Sequence, residues 1–325
     1  MKLNLGYACI NETLKRSDNI YVNRTCIQKT FETKGKRYAI ELATKNLEDL
    51  IKIIKWNHNH SINFYRMSSA MFPQITNTNL MLSQSSPSLV YSLDKFNYLF
   101  QRIGELADRY DIRLTFHPDH YNQIGSPKLN VLTNTINDLS CHANIIDYIN
   151  QYRYTQINNN NNNNNSVMVV HIGGTYGDKN KTIIRFQEQF RILQENVKDK
   201  IVIENCERNY CVEDLIPISD NLNIPIVLDF HHYNCYSKLH NNNPKQKSLE
   251  EIIPIILNSW DRRNLIPKFH QSEQALNKRI GAHSDYVEEI PQILFDITRE
   301  RRIDLMIEAK AKENAVLKLK IKYDL

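Results

Sequence analysis

The stretch Ile224 to His232, IPIVLDFHH, constrains the fold of this chain more than any other. An apolar run of strand-forming residues with no polar interruption reads as a strand buried on both faces, the kind found in parallel sheets. It ends abruptly in Asp229, Phe230, His231 and His232. Charged and imidazole groups at the mouth of a buried strand cost desolvation unless something pairs with them, and a divalent cation would do so. Taken alone, the tetrad reads more simply as a capping Asp beside two ordinary histidines. What changes the reading is that the same design recurs.

Arg113 to Phe116 leads into His117-Pro118, Val167 to Val170 into His171-Ile172-Gly173-Gly174, and Ile201 to Ile203 into Glu204-Asn205. Pro267 to Phe269 ends in His270, and Asp304 to Ile307 ends in Glu308. Leu3 to Ala8 and Ile62 to Met67 complete a set of eight strand candidates. Helical spacing fills the intervals at 46–58, 93–110, 130–152, 181–196, 212–221, 248–260 and 286–299, with Pro254 a candidate kink. Such alternation most economically closes into an α/β barrel of the TIM type, (β/α)8, with its active site at the carboxyl ends of the strands. A doubly wound open sheet would gather its polar residues at one switch point instead. A single domain over 1–325 is expected.

Hydrophobic residues make up 41% of the 325, a globular proportion, and no run approaches a membrane span. The N-terminus, MKLNLGYACIN, lacks the apolar region of a secretory signal, so an intracellular protein without membrane association is expected. Cys9, Cys26, Cys141, Cys206, Cys211 and Cys235 form no C-x-x-C pair and read as reduced thiols. A net charge of +5 permits an anionic partner without identifying one. Asn158 to Asn165, eight asparagines in a row, cannot bury enough apolar surface to order themselves and read as a surface insertion. The C-terminal AKENAVLKLKIKYDL reads as an edge helix or strand packed on the barrel.

His117, His171, Glu204, Asp229, His232, His270, His283 and Glu308 are eight potential ligands, nearly all at or just past a strand end. Imidazole nitrogen and carboxylate oxygen suit zinc, manganese or iron. One ion would leave ligands unused, so a cluster of two or three fits the inventory better. Clusters of this kind suit phosphodiester hydrolysis, because they create a hydroxide at neutral pH and neutralise charge on the attacked phosphate. Any one strand-end histidine is more often packing than ligand. Coincidence at five or more strand ends is improbable.

These residues resemble the UV damage endonuclease family. The matching strings are Leu5-Gly6-Tyr7 with Asn11, Phe64-Tyr65-Arg66-Met67-Ser68-Ser69, Thr115-Phe116-His117-Pro118 and His171-Ile172-Gly173-Gly174-Thr175-Tyr176-Gly177. They continue with Ile203-Glu204-Asn205, Leu228-Asp229-Phe230-His231-His232, Pro267-Lys268-Phe269-His270, Ala282-His283-Ser284-Asp285-Tyr286-Val287 and Met306-Ile307-Glu308-Ala309-Lys310. The strings span nearly the whole chain in the family's order; the segment from Ser17 to Tyr38 and the Asn run add little.

The resemblance implies a monomeric α/β barrel that nicks damaged double-stranded DNA immediately 5′ to cyclobutane pyrimidine dimers, 6-4 photoproducts and similar distortions. It implies two or three divalent ions, most commonly Mn2+, with Zn2+, Mg2+ or Co2+ as substitutes. His117, His171 and Glu204 would hold one ion. Glu204 would bridge to a second held by Asp229, His270 and Glu308, and His232 and His283 would serve a third. His231 would be packing beside its neighbour. Lys268, two residues before His270, is assigned to the catalytic set with Glu204. An ammonium there would be repelled by the cations, so a shifted pKa or carboxylation of its amine is expected.

Two positions depart from the family pattern. A His often follows the Ser-Ser-x-x-x-Pro string, where this chain has Gln74 to Asn77, and Asn77 is a poor ligand. A Gln and an aromatic usually follow the His-Pro string; here the pair is His120 and Tyr121. An aromatic wedge with a hydrogen-bonding neighbour could fill the gap left by extruded bases. Tyr7 and Asn11 are candidate lesion or phosphate contacts, and Arg66 is either a DNA contact or the buried partner of a carboxylate.

Three alternatives compete. An apurinic endonuclease of the sister barrel family would carry an Asp where this chain has Gly281, two residues before His283. A metal-dependent sugar isomerase would share the barrel and ligand types but not a basic rim. A non-catalytic damage sensor would have no need of a bridging Glu204.

Overall fold

Eight short parallel strands form the centre of the computed structural model, which describes residues 2–81, 89–153, 165–240 and 246–325. They are β1 (Leu3–Ala8), β2 (Phe64–Arg66), β3 (Arg113–Thr115), β4 (Met168–His171), β5 (Ile201–Glu204), β6 (Ile226–Asp229), β7 (Lys268–Gln271) and β8 (Ile303–Ile307). The ladder runs β3-β2-β1-β8-β7-β6-β5-β4. Its ends meet through Phe116, whose N–H donates to Val167 O at 2.9 Å and whose carbonyl accepts from Val169 N at 3.0 Å. The sheet is therefore a TIM barrel, without the free edges an open sheet would leave. Every residue of β3, β5, β6, β7 and β8 is buried, as expected of strands covered on both faces. Gly6 is required where β1 meets β2, since a Cβ there would lie 2.4 Å from Phe64 O.

The helices are α1 (Glu12–Asp18), α2 (Gln28–Asn59), α3 (Asn97–Arg109), α4 (Leu129–Asn150), α5 (Lys179–Arg191), α6 (Glu195–Lys198), α7 (Val212–Leu222), α8 (Phe230–Leu239), α9 (Leu249–Asp261), α10 (Gln292–Thr298) and α11 (Glu313–Tyr323). α2 reaches well upstream of its apolar stripe, across a break at Gly35. α10 is shorter than the spacing from Tyr286 suggests. Pro291 sits at its N-cap, and the N–H groups of Glu288 and Glu289 are taken by Glu273 Oε1 at 2.7 and 3.1 Å. α9 runs through Pro254. α8 is invisible in the spacing because it starts directly off β6, capped by Asp229, whose carboxylate accepts from His232 N at 2.7 Å. The C-terminal segment forms α11. Of the Asn run only Asn165 lies within the described residues. No described helix is long and apolar enough to cross a membrane.

At the amino ends of the strands the barrel is plugged by an ion pair. Arg113 Nη1 lies 2.8 Å from Asp304 Oδ2, and both side chains are almost wholly buried. Asn4 Nδ2 donates to the other Asp304 oxygen at 2.8 Å, and Arg113 also donates to the carbonyls of Ile266 (3.0 Å) and Asn165 (2.5 Å).

Candidate metal centre

His171, Glu204, Asp229 and His270 are strand residues at the carboxyl ends of β4 to β7, and His117 and Glu308 stand just past β3 and β8. Parallel pairing puts these ends in register: His171 opposite Glu204, and Asp229 opposite His270. Four of the six candidate ligands thus sit on backbone that the ladder has already fixed, and the other two within two residues of it, which keeps their scatter small.

Glu204 is the hub. Its Oε2 lies 2.9 Å from His117 Nε2 and 3.4 Å from His171 Nε2, while its Oε1 lies 2.7 Å from His270 Nδ1 and 3.9 Å from His232 Nδ1. His270 Nδ1 is also 3.3 Å from Glu308 Oε1, and His283 Nδ1 is 3.9 Å from Glu308 Oε2. Two triads, His117-His171-Glu204 and Glu204-Asp229-His270, each bring one ligand atom per residue within 4.8 Å of one another. The sequence-derived set therefore converges, with His232 and His283 at its outer side.

The site contains donors and acceptors that the protein leaves unpaired. His171 Nδ1, His270 Nε2 and Asp229 Oδ2 are buried without a hydrogen-bond partner. Native structures rarely leave such atoms orphaned; the two ring nitrogens are those opposite the ones that face Glu204, whereas the Asp229 oxygen is an unpaired acceptor on a residue of the second triad. The electrostatics agree. Burial, with Asp229 and Glu308 nearby, raises the Glu204 carboxyl well above its usual range despite the opposing field of His232. Burial pushes His117 and His270 well below the usual histidine range and His171 down to about 3, so all three favour the neutral, ligating form. His232 is held up at about 9 because Asp229, Glu204 and Glu308 together outweigh its burial.

Orienting contacts surround the ligands. Asn205 clamps Asp229 reciprocally, accepting from its N–H at 2.8 Å and donating to its carbonyl at 3.1 Å. His232 Nδ1 lies 3.0 Å from Asn205 O, and a donor there leaves Nε2 as the ligating nitrogen. Ser69 Oγ donates to His117 O at 3.0 Å. Arg66 forms an ion pair with Glu308, so its guanidinium is an internal partner of a carboxylate. These buried groups form a candidate metal site at the mouth of the barrel. A cavity of ≈ 400 Å³ opens above it, walled by Arg66, Ser69, His120, Glu207, Arg279 and Gly281 together with His117, His171, His232, His283 and Glu308.

The model of the UV-endonuclease UvdE family matches residues 3–325. The chain belongs to that family. Among UvdE relatives, a protein of Acanthamoeba polyphaga mimivirus named for UV-damage endonuclease activity is 38% identical over 99% of this chain and 91% of its own length. The UV-damage endonuclease of Schizosaccharomyces pombe is 36% identical over 99% of this chain, which spans only 51% of that protein. The crystal structure of SacUVDE superposes with a TM-score of 0.80 at 23% identity, covering 99% of each chain. The fold is also shared with endonuclease IV from Thermus thermophilus, at a TM-score of 0.52 and 12% identity over 83% of this chain and 91% of that one.

In this UvdE chain the remaining singled-out residues fall in three places. Tyr7 and Asn11 are fully buried: Asn11 donates to Tyr7 Oη at 2.9 Å, Tyr7 donates to Asn57 at 2.7 Å, and Asn11 caps α1 through Leu14 N. Their hydrogen bonds are spent inside the fold. His120 and Tyr121 are exposed, with His120 stacked on His171 at 5.1 Å between centroids and Tyr121 56% exposed. Lys268 is wholly buried beneath the cluster, its Nζ 3.4 Å from Thr115 Oγ1. Burial there, reinforced by Arg66 and Arg113, holds its ammonium well below the ordinary lysine range. Asn77 is bound to Gln74 at 2.6 Å, away from the ligands. Sequence reasoning did not single out Glu207 and Arg279 in the cavity wall; neither lies at a strand end, which was the signal used.

Proposed function

We propose that this chain hydrolyses the phosphodiester immediately 5′ to the lesion with two or three divalent ions held at the barrel mouth. The chain is a UV-damage endonuclease, a DNA-repair nuclease that acts on UV photoproducts. The observation that supports the metal reading is the pair of triads, His117-His171-Glu204 and Glu204-Asp229-His270, whose ligand atoms lie within 4.8 Å of one another around one shared Glu204. In this reading His117, His171 and Glu204 hold one ion. Glu204, Asp229, His270 and Glu308 hold a second, and His232 and His283 serve a third. Bound divalent ions of this kind supply a hydroxide nucleophile at neutral pH and Lewis-acid stabilisation of the phosphate.

The chain's own residues do the positioning. Glu204 uses both oxygens, one toward each triad, which fixes the spacing of the two ligand groups. Arg66 holds Glu308 in place and offsets part of the cluster's negative charge. Lys268, whose ammonium form burial disfavours, is the side chain that would take up CO2 as a carbamate or accept a proton instead of repelling cations. The exposed His120, stacked on His171, and its exposed neighbour Tyr121 would fill a gap left by unstacked bases.

Nicking of duplexes carrying one photodimer, one abasic site or neither tests the reading. Cleavage 5′ to the photodimer, abolished by chelation and restored by Mn2+, is expected; cleavage of the abasic duplex alone would favour the sister activity. An anomalous scattering map would count and identify the ions. Intact mass of gently purified protein lacking an added carboxyl would count against modification of Lys268.

A further inference from the structure

The chain between β7 and α10 turns back on itself as a hairpin. Ser284 N donates to Glu273 O at 2.8 Å, Ala275 N donates to Ala282 O at 2.7 Å, and Gln274 pairs antiparallel with His283. One side chain then pins the tip. Gln274 Nε2 donates to the carbonyls of Arg279 (2.9 Å) and Ala275 (3.1 Å), and its Oε1 accepts from Gly281 N at 2.9 Å. Left-handed backbone at Asn277 (φ 56°) and Gly281 (φ 88°) completes the turn. A loop with this much internal bonding is built to hold a shape.

What the shape presents is an apolar residue between cations. Leu276 is 87% exposed, and Lys278 and Arg279 are exposed on the same turn. A solitary exposed leucine means little. A leucine held out by a pinned loop at the rim of a candidate metal site is a different observation. Arg279 and Gly281 line the cavity over the ligands, and the returning arm of the hairpin carries His283 itself. In the closed ring, β3 and β7 are separated by four steps in either direction. The hairpin therefore rises from the rim diametrically opposite the loop that carries His120 and Tyr121.

We propose that the hairpin 273–284 is a second DNA-reading element, in which Leu276 wedges against the base step opened at the lesion and Arg279 holds a flanking phosphate. The proposal rests on the endonuclease reading above. DNA is the occupant that the chemistry selects. Apolar side chains inserted at a base step unstack and kink a duplex, while adjacent guanidinium and ammonium groups neutralise phosphates. Wedges on facing sides of the mouth would bend the strand across the ligand cluster from both sides.

Leu276→Ala is tested on one photodimer in two settings: fully paired duplex, and a bubble whose opposite strand is mismatched. On paired duplex kcat/KM falls about tenfold, with little change on the bubble, where opening costs nothing. Arg279→Ala raises KM on both and lowers the slope of log affinity against log salt by about one. Metal content of both variants equals that of the unaltered chain. The proposal fails if Leu276→Ala nicks paired duplex at the unaltered rate, or if it loses as much on the bubble as on the duplex. If the unaltered chain nicks neither substrate, the endonuclease reading fails and takes this one with it, a result distinguishable from the other two.

Discussion

The two ends of the barrel handle buried charge in opposite ways. At the amino ends, the Asp304 carboxylate is answered inside the protein by Arg113 and Asn4, and Arg113 spends its remaining donors on two carbonyls, leaving only Nη2 without a partner. At the carboxyl ends, Glu204, Asp229 and Glu308 meet three histidines that burial keeps neutral, His117, His171 and His270, with Arg66 paired to Glu308 and His232, held up at about 9, 3.9 Å from both Glu204 and Asp229. One end is a finished ion pair. The other is a candidate set of ligands, which the proposed ions would balance. The difference separates structural charge from functional charge without appeal to position in the sequence.

The largest effect that could break this contrast is at the hub. Glu204→Gln keeps the shape but loses the shared anionic ligand, so nicking should fall by about 10³-fold or more while damaged-DNA binding in a mobility-shift assay is retained. Persistent turnover would remove Glu204 from its role. Next is the plug. Arg113→Met strands a buried Asp304 and should cost about 3–5 kcal/mol in urea unfolding; adding Asp304→Leu should recover most of that loss, with metal content unaltered throughout. A third experiment sharpens the comparison from the other end of the barrel. Asp229→Asn keeps a side-chain oxygen to cap α8 and removes one of the crowded carboxylates whose nearest cation is the titratable His232, so the metal-free protein should lose far less in urea unfolding than Arg113→Met does, whereas stabilisation on adding Mn2+ should shrink. The smallest effect lies beyond the ligands: Tyr121→Ala should lower the preference for damaged over undamaged duplex by about tenfold or less, with metal binding unaffected. Equal cutting preferences before and after would end the wedge role of that residue.

The rim was legible in the sequence because its signal is local. A buried strand stops at a His, Asp or Glu, and in a closed parallel barrel all such stops share one face. Six ligands could be placed that way, and the barrel followed from the same alternation. The plug was not legible: Arg113 and Asp304 stand at strand starts 191 residues apart, and no local pattern pairs them. Tyr7 and Asn11 were read as lesion or phosphate contacts because they stand at the mouth of the first strand, yet Asn11 is consumed in capping α1 and in holding Tyr7. α8 was missed for a related reason, since its first turn is the very segment whose histidines had been read as a strand mouth. Local spacing reports which groups leave a strand, not which neighbour claims them.

The two oxygens of Asp229 stand differently: one caps α8 through His232 N, and the other is buried without a hydrogen-bond partner, 3.9 Å from His232 Nδ1. If Asp229 takes a cation as proposed, its capture and the anchoring of that helix are thermodynamically reciprocal. Amide hydrogen exchange at the first turn of α8 should slow on loading and quicken on stripping, so the backbone of an outer helix becomes a gauge of occupancy at the centre that can be read without DNA or turnover.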